Sequence, residues 1–230
     1  MKQEVFAEDR EVARQAARFI AAEARAAVSA RGRFVLAVSG GHTPWVMLRD
    51  LADQDVPWGQ LDLVQVDERV APTGHADRNL THLHESLLDL APIPTERVHA
   101  MPVEAADLVG AAASYSATLG AIAGTPPVLD LVHLGLGPDG HTASLVPADP
   151  VLDLTDRDVA LAGPYQDRER MTLTYPTINR ARRILWVVTG AAKADMLARL
   201  RAGDPTIPAG RVSQERAVVF ADRAAAEVKS

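Results

Sequence analysis

Hydrophobic residues along this chain form two alternating patterns. Short apolar runs without a period are typical of strands buried on both faces of a parallel sheet. These runs lie at residues 33–39, 61–67, 129–136, 183–190 and 217–222. The stretches before and between them predict helices, the first of which carries apolar residues at helical spacing. The predicted helices cover residues 8–30, 45–52, 79–90, 104–123 and 191–201.

Strands that alternate with helices predict βαβ units, and therefore an α/β fold with a mostly parallel sheet covered by helices on both faces. Residues 168–176 alternate more regularly and indicate an added or edge strand, whereas the Pro- and Asp-rich residues 147–158 predict a long loop. A single domain over residues 1–230 is expected from the length. Ligands of open parallel sheets bind beyond the carboxyl ends of the strands, so the residues that follow each strand are the candidates for chemistry.

Composition narrows the classes of function. A formal charge of −6 disfavours a nucleic-acid-binding surface, which needs clustered Lys and Arg. The absence of cysteine excludes disulfides, a thiol nucleophile and a thiolate metal site. The sequence has neither a signal-peptide pattern nor an apolar run of about 18 residues, so we expect a cytoplasmic protein with no membrane partner.

The first strand end reads SGGHTP. Thr43 is predicted to be the N-cap of a helix and Pro44 to lie in its first turn. Gly40 and Gly41 allow the backbone to turn tightly and to approach a ligand, and helix-start N–H groups bind anions. We therefore interpret the stretch, with Ser39, as a phosphate cradle; a purely structural turn is the alternative.

Residues 37–41, AVSGG, also approximate the G-x-S-x-G nucleophile elbow of serine hydrolases. In an elbow the helix begins almost at the serine, whereas a helix capped by Thr43 begins several residues after Ser39. The spacing therefore disfavours Ser39 as a nucleophile.

Two other strand ends carry charge. The second strand ends in Asp67, Glu68 and Arg69, which could place a base or an orienting acid beside an anion-binding arginine. A solvated charge cluster is the alternative. Lys193 follows the fourth strand and is the only lysine between the two ends of the chain. An ammonium in the first turn of a helix is unfavourable unless an anion is present, so we interpret Lys193 as a second phosphate contact rather than an ordinary surface lysine.

The remaining strand end, LGLGPDGHTASLVP, contains the G-x-G-x-x-G pattern of dinucleotide-binding proteins at Gly135, Gly137 and Gly140. Such a site needs a helix of useful length after the glycines. Pro138 lies inside the motif and Pro147 would end a helix after about two turns. Dinucleotide binding is therefore disfavoured.

His141 is then the main chemical group of this stretch. It follows a tight Gly-Pro-Asp-Gly turn just past a buried strand, and histidine acts as a general base or acid near neutral pH. A structural histidine is the alternative. Asp139 could orient the His141 ring or form the turn by accepting hydrogen bonds from its own backbone.

The ordered motifs of this chain resemble those of the 6-phosphogluconolactonase family over about residues 34–226. The matching motifs are SGGHTP, VDERVAP followed by DRNL, GLGPDGHTASLVP, MTLTYPTIN, VTGAAKADML and IPAGRV with DRAAA. The resemblance implies a Rossmann-like fold shared with glucosamine-6-phosphate deaminases and ribose-5-phosphate isomerases. It also implies hydrolysis of 6-phosphoglucono-δ-lactone to 6-phosphogluconate in the oxidative pentose phosphate pathway, with no metal or organic cofactor.

With that resemblance, His141 is expected to take a proton from water and return it to the ring oxygen of the lactone. Asp67 is expected to orient an arginine or the sugar, and Asp139 belongs to the same catalytic group. Arg170 is added because RMTL matches an arginine-containing strand start of the family. The expected phosphate contacts are Ser39, Gly40, Gly41, Thr43, Arg69, Arg170 and Lys193. The expected partner is a small sugar phosphate lactone, and the protein is expected to be a monomer or a weak dimer.

Three positions depart from the patterns of related enzymes. Val146 replaces the glutamate of the deaminases and a frequent phenylalanine of the lactonases, while His42 and Arg78 replace frequent serines. A valine cannot shuttle protons, which disfavours a sugar-phosphate isomerase or deaminase. A non-catalytic sugar-phosphate sensor is the alternative from a different class.

Overall fold

The computed structural model describes residues 1–227. The strands are β1 (Lys2–Phe6), β2 (Phe34–Val38), β3 (Leu61–Gln65), β4 (Asp67–Arg69), β5 (Val98–His99), β6 (Leu131–Leu134), β7 (Val159–Tyr165), β8 (Arg168–Leu173), β9 (Ile184–Val188) and β10 (Ala217–Asp222). The helices are α1 (Asp9–Arg31), α2 (His42–Ala52), α3 (Asn79–Leu83), α4 (Leu108–Ala123), α5 (Tyr175–Arg180), α6 (Ala194–Ala202) and α7 (Arg223–Ala226). No helix among these residues is long and apolar enough to cross a membrane.

Seven strands form one parallel sheet in the order β1-β10-β9-β6-β2-β3-β5. Every residue of β2, β3, β9 and β10 is buried, as their continuous apolar runs predict. Helices α1 and α2 pack on one face of this sheet, and α4, α5 and α6 pack on the other. The predicted α/β class, with a mostly parallel sheet between two helical layers, is confirmed.

A second, three-stranded antiparallel sheet has the order β4-β8-β7. The predicted strand 61–67 therefore ends early, because the chain crosses between the sheets at Val66. The N–H of Val66 donates to Val38 in the large sheet, and its carbonyl accepts from Leu173 in the small one. Of the two alternatives predicted for residues 168–176, an added strand is confirmed as β8, whereas an edge strand is wrong, because β8 is the central strand of the small sheet.

Several element boundaries also differ from the predictions. Helix α2 begins at His42 and its N-cap is Gly41 at φ +125°, so the prediction that Thr43 is the N-cap is wrong. The predicted helix 79–90 is α3 followed by a π-helical turn at His84–Leu88. Strands β1 and β5 lie at the two edges of the large sheet and were not expected.

Candidate active site

A cavity of about 200 Å³ lies at the carboxyl ends of β2 and β6, with β4 and β8 as its side wall. The side chains and backbone of four separate strand ends meet there, as expected for an open parallel sheet. The predicted site residues that line it are Ser39, Gly40, Gly41, Asp67, Arg69, His141, Arg170 and Lys193. Asp139 contacts the His141 ring, whereas Thr43 lies in a separate cleft of about 140 Å³.

Asp139 and His141 form a hydrogen-bonded pair in the loop after β6. Oδ1 of Asp139 accepts from the backbone N–H of His141 at 3.1 Å and lies 2.5 Å from its Nδ1. Asp139 therefore both shapes the turn and orients the ring. Burial raises the pKa of Asp139, but the hydrogen bonds from His141 outweigh burial and leave this pKa below its ordinary value.

Gly137 provides the space for the His141 ring. The N–H of Gly137 donates to the carbonyl of His141 at 2.8 Å, which closes the loop on itself. A Cβ atom at Gly137 would lie 2.0 Å from Nδ1 of His141. Any side chain at this position must therefore displace the ring from Asp139.

We expect Gly137→Ala to lower kcat for the reaction of this site by about a hundredfold, because displacement of a catalytic group by about 1 Å has that order of effect. The far-ultraviolet circular dichroism spectrum should stay unchanged. Gly59→Ala is the matched control, since a Cβ there meets no atom within 4 Å. Wild-type kcat in Gly137→Ala would contradict a requirement for the present position of His141.

Arg69 and Arg170 form a basic wall of the cavity. They are directly opposite each other in the antiparallel pair of β4 and β8. Arg170 is buried. Burial is the main cause that lowers the pKa of Arg170, and the positive charge of Arg69 lowers it further. The Nε atom of Arg69 is buried and has no hydrogen-bond partner among the described residues. Two adjacent guanidinium groups repel each other and are stabilised by an anion, which arginine binds through two N–H groups at once.

Lys193 adds a third cation to the lining of the cavity. It precedes α6, at the end of a 3₁₀ turn that follows β9. Burial lowers the pKa of Lys193, and the charge of Asp139 partly opposes this shift. The position of Lys193 is compatible with the predicted phosphate contact.

Asp67 is held in place by its neighbours. Its Oδ2 accepts from the hydroxyl of Ser144 at 2.6 Å and lies 4.0 Å from Nη1 of Arg170. The side-chain amide of Asn79 donates to the backbone carbonyl of Asp67 at 3.0 Å. This arrangement favours the orienting role expected for Asp67.

Glu68 is neither solvated nor directed into the cavity. Its carboxylate is fully buried and accepts from the backbone N–H groups of Asn79 and Leu80 at the start of α3, each at 2.8 Å. The guanidinium of Arg78 lies 3.2 Å away and is also buried. Arg78 therefore neutralises an internal carboxylate and does not line the cavity.

The other sequence features of interest are Ser39, which lines the cavity, and Thr43, His42 and Val146, which do not. The hydroxyl of Ser39 donates to the backbone carbonyl of His133 at 3.0 Å, which leaves it without a base and disfavours a nucleophile elbow. The hydroxyl of Thr43 pairs with that of Thr189 at 2.7 Å. His42 is exposed beside Thr43, and Val146 is buried.

Two contributors to the site were not predicted from the sequence. The Tyr165 hydroxyl donates to Oδ2 of Asp139 at 3.1 Å. Asn79 lines the cavity beneath Gly40, where a Cβ atom would lie 2.0 Å from Oδ1 of Asn79. The motif DRNL contains Asn79 and could have indicated it, whereas no motif marks Tyr165.

A larger cleft of about 530 Å³ lies between α4 and β7. Its lining contains no histidine, and Asp158, one of its carboxylates, is paired with Arg180. Within residues 1–227, no group of three or more His, Asp and Glu side chains is arranged to hold a metal ion. The cavity at the strand ends is therefore the candidate active site.

Comparisons with known proteins point to one family. A family model described as glucosamine-6-phosphate isomerases/6-phosphogluconolactonase matches residues 7–220. The 6-phosphogluconolactonase of Rattus norvegicus is 36% identical, over 98% of this chain and 93% of its own. That of Synechocystis is 39% identical over 76% of this chain and 74% of its own. The solved structure of 6-phosphogluconolactonase from Trypanosoma brucei has a TM-score of 0.86 and 28% identity, and the match covers 98% of this chain and 97% of that one.

Proposed function

Because the chain belongs to the glucosamine-6-phosphate isomerase/6-phosphogluconolactonase family, we propose that it hydrolyses 6-phosphoglucono-δ-lactone to 6-phosphogluconate, a step of the oxidative pentose phosphate pathway. The observation that carries this proposal is the Asp139–His141 pair at a cavity whose lining also presents two arginines and a lysine. A substrate with a reactive carbonyl and a remote phosphate matches this cavity, because the base can serve the carbonyl while the basic wall binds the phosphate.

His141 is the general base of the proposed reaction. A carboxylate only accepts hydrogen bonds, so the contact with Asp139 keeps a proton on Nδ1 and leaves the Nε2 lone pair free to take a proton from water. The water oxygen attacks the lactone carbonyl carbon and the bond to the ring oxygen breaks. His141 returns the proton to that oxygen, which becomes a hydroxyl group, and the carboxylic acid product loses its proton to solvent.

The phosphate group positions the carbonyl against His141. Arg69, Arg170 and Lys193 provide the charge, and the backbone around Gly40 and Gly41 approaches closely because neither residue has a side chain. Binding energy from a phosphate remote from the reacting carbon lowers the barrier when it fixes the reacting atoms in line. Asp67 keeps Arg170 aligned in this scheme.

The proposal is tested by supplying three substrates to the wild-type protein. We expect freshly prepared 6-phosphoglucono-δ-lactone to be hydrolysed well above its spontaneous rate, as measured by acid release. Unphosphorylated glucono-δ-lactone should be a poor substrate, and glucosamine 6-phosphate should release no ammonia. Ammonia release would instead support a deaminase, and phosphate-dependent binding without turnover of any substrate would support a sugar-phosphate sensor.

The buried Val146 supports the lactonase over the deaminase, because it offers no group for proton transfer at the position of the deaminase glutamate. A cytoplasmic location, a single domain and a monomeric or weakly dimeric state stay predictions of the sequence.

A further inference from the structure

We propose that Tyr165 is a positioning residue that holds the Asp139–His141 pair in its reactive arrangement. It also links this pair to Arg170 in the basic wall of the cavity. This inference rests on the proposed lactone hydrolysis and adds to it a residue that the motifs of the chain do not mark. Tyr165 ends β7, next to a tight turn in which Gln166 and Asp167 have φ values of +53° and +61°. This turn carries the tyrosine ring over the loop after β6.

The hydroxyl of Tyr165 engages the oxygen of Asp139 that His141 does not use. It donates to Oδ2 at 3.1 Å, while Oδ1 lies 2.5 Å from Nδ1 of His141. The carboxylate is thus held from both sides and cannot rotate without breaking a hydrogen bond. The ring of Tyr165 also packs edge-on against the imidazole, with centroids 5.1 Å apart. Both members of the pair are therefore fixed by one side chain.

The same tyrosine contacts Arg170 on its other side. The Arg170 guanidinium carbon lies 5.0 Å from the centroid of the Tyr165 ring, in a cation–π arrangement. Nε and Nη2 of Arg170 donate to the backbone carbonyl of Tyr165 at 3.2 and 3.1 Å. Movement of Arg170 on binding phosphate would be transmitted to the tyrosine, and through its hydroxyl to Asp139.

The hydroxyl must keep its proton for this role. Burial raises the pKa of Tyr165, and the charge and hydrogen bond of Asp139 raise it further, so Tyr165 stays a donor at neutral pH. Its donated hydrogen bond draws negative charge away from the side of Asp139 that faces His141. Without it, the oxygen of Asp139 that faces His141 would carry more negative charge, and the acidic limb of the pH–activity profile should move to higher pH. The charged and titratable groups around His141 are Asp139 in its own loop, Tyr165 at the end of β7, and Asp67, Arg69, Arg170 and Lys193 around the cavity.

The test compares Tyr165→Phe and Tyr165→Leu with the wild type on 6-phosphoglucono-δ-lactone. Tyr165→Phe keeps the ring and the backbone carbonyl and loses only the hydroxyl. We expect its kcat to fall about tenfold, the order of one hydrogen bond to a charged group, with KM unchanged. The acidic limb of its kcat/KM profile should move to higher pH. Tyr165→Leu also loses the ring face, so KM should rise as well.

Tyr175→Phe is the matched control, because it removes a tyrosine hydroxyl that donates to the Pro208 carbonyl rather than to a group of the cavity. It should leave kcat, KM and the pH profile unchanged. A wild-type kcat and pH profile in Tyr165→Phe would overturn the positioning role. A fall in kcat without movement of the acidic limb would overturn it too, since that is the result expected if Tyr165 only stabilised the local structure.

A second readout separates this inference from the proposed function. Nitrogen chemical shifts of the His141 ring report which nitrogen carries the proton, and they need no substrate. We expect them to differ between the wild type and Tyr165→Phe. If the wild type does not accelerate lactone hydrolysis, the proposed function fails, while different His141 shifts would still support Tyr165 as the positioning residue and identical shifts would overturn it.

Discussion

Replacement of His141 by glutamine is expected to lower kcat for 6-phosphoglucono-δ-lactone about a thousandfold, within the range that general acid–base groups contribute. Glutamine can still hydrogen-bond to Asp139, so the loop should stay in place, but its amide cannot take a proton from water. KM should change little, because the arginines and Lys193 are untouched. Acid release from fresh lactone, corrected for spontaneous hydrolysis, measures the effect.

His99→Gln is the matched control for this variant. His99 also pairs with a carboxylate, through Nε2 at 2.9 Å from Oδ1 of Asp62, but it lies on β5 and does not line the cavity. It should keep the wild-type kcat. Loss of a general base is expected to lower kcat at least about a hundredfold. If His141→Gln retained more than about a tenth of the wild-type kcat, another group would have to be the base.

The strand ends of the large sheet could be predicted from the sequence because each is marked twice. An apolar run predicts a buried strand, and the glycines or charges that follow it mark the place where the strand stops. His141 satisfies both conditions, as do Gly40 and Gly41. Parallel strands bring such ends to one edge of a sheet, so residues about a hundred positions apart in the chain could be expected to meet.

The side wall of the cavity was harder to predict because its contacts depend on tertiary structure. The run 61–67 is continuous in the sequence, yet Val66 bonds to both sheets and turns Asp67 into the small one. Only that crossing places Arg69 beside Arg170. The same reasoning applies to Glu68, whose burial requires Arg78 and the start of α3, and to Tyr165, whose role depends on the turn between β7 and β8.

Replacement of Arg170 by methionine is expected to lower kcat/KM for the phosphorylated lactone about a thousandfold, the order expected for the loss of a buried partner of a charged group. Methionine keeps much of the length and apolar packing of the arginine stem but offers no donor to phosphate. The loss in kcat/KM should be only a few-fold for unphosphorylated glucono-δ-lactone, because this substrate has no phosphate group for the basic wall to bind. Kinetics on the two lactones, side by side, give this ratio directly.

Arg168→Met is the matched control, since Arg168 lies on the same strand but donates to Asp77 at 2.8 Å and does not line the cavity. It should leave the preference for the phosphorylated lactone unchanged. Arg170→Lys should fall between methionine and the wild type, because an ammonium restores the charge without the two parallel N–H donors. An equal loss on both lactones in Arg170→Met would instead mean that Arg170 acts at the reacting carbonyl, and Arg69 and Lys193 would then have to hold the phosphate without it.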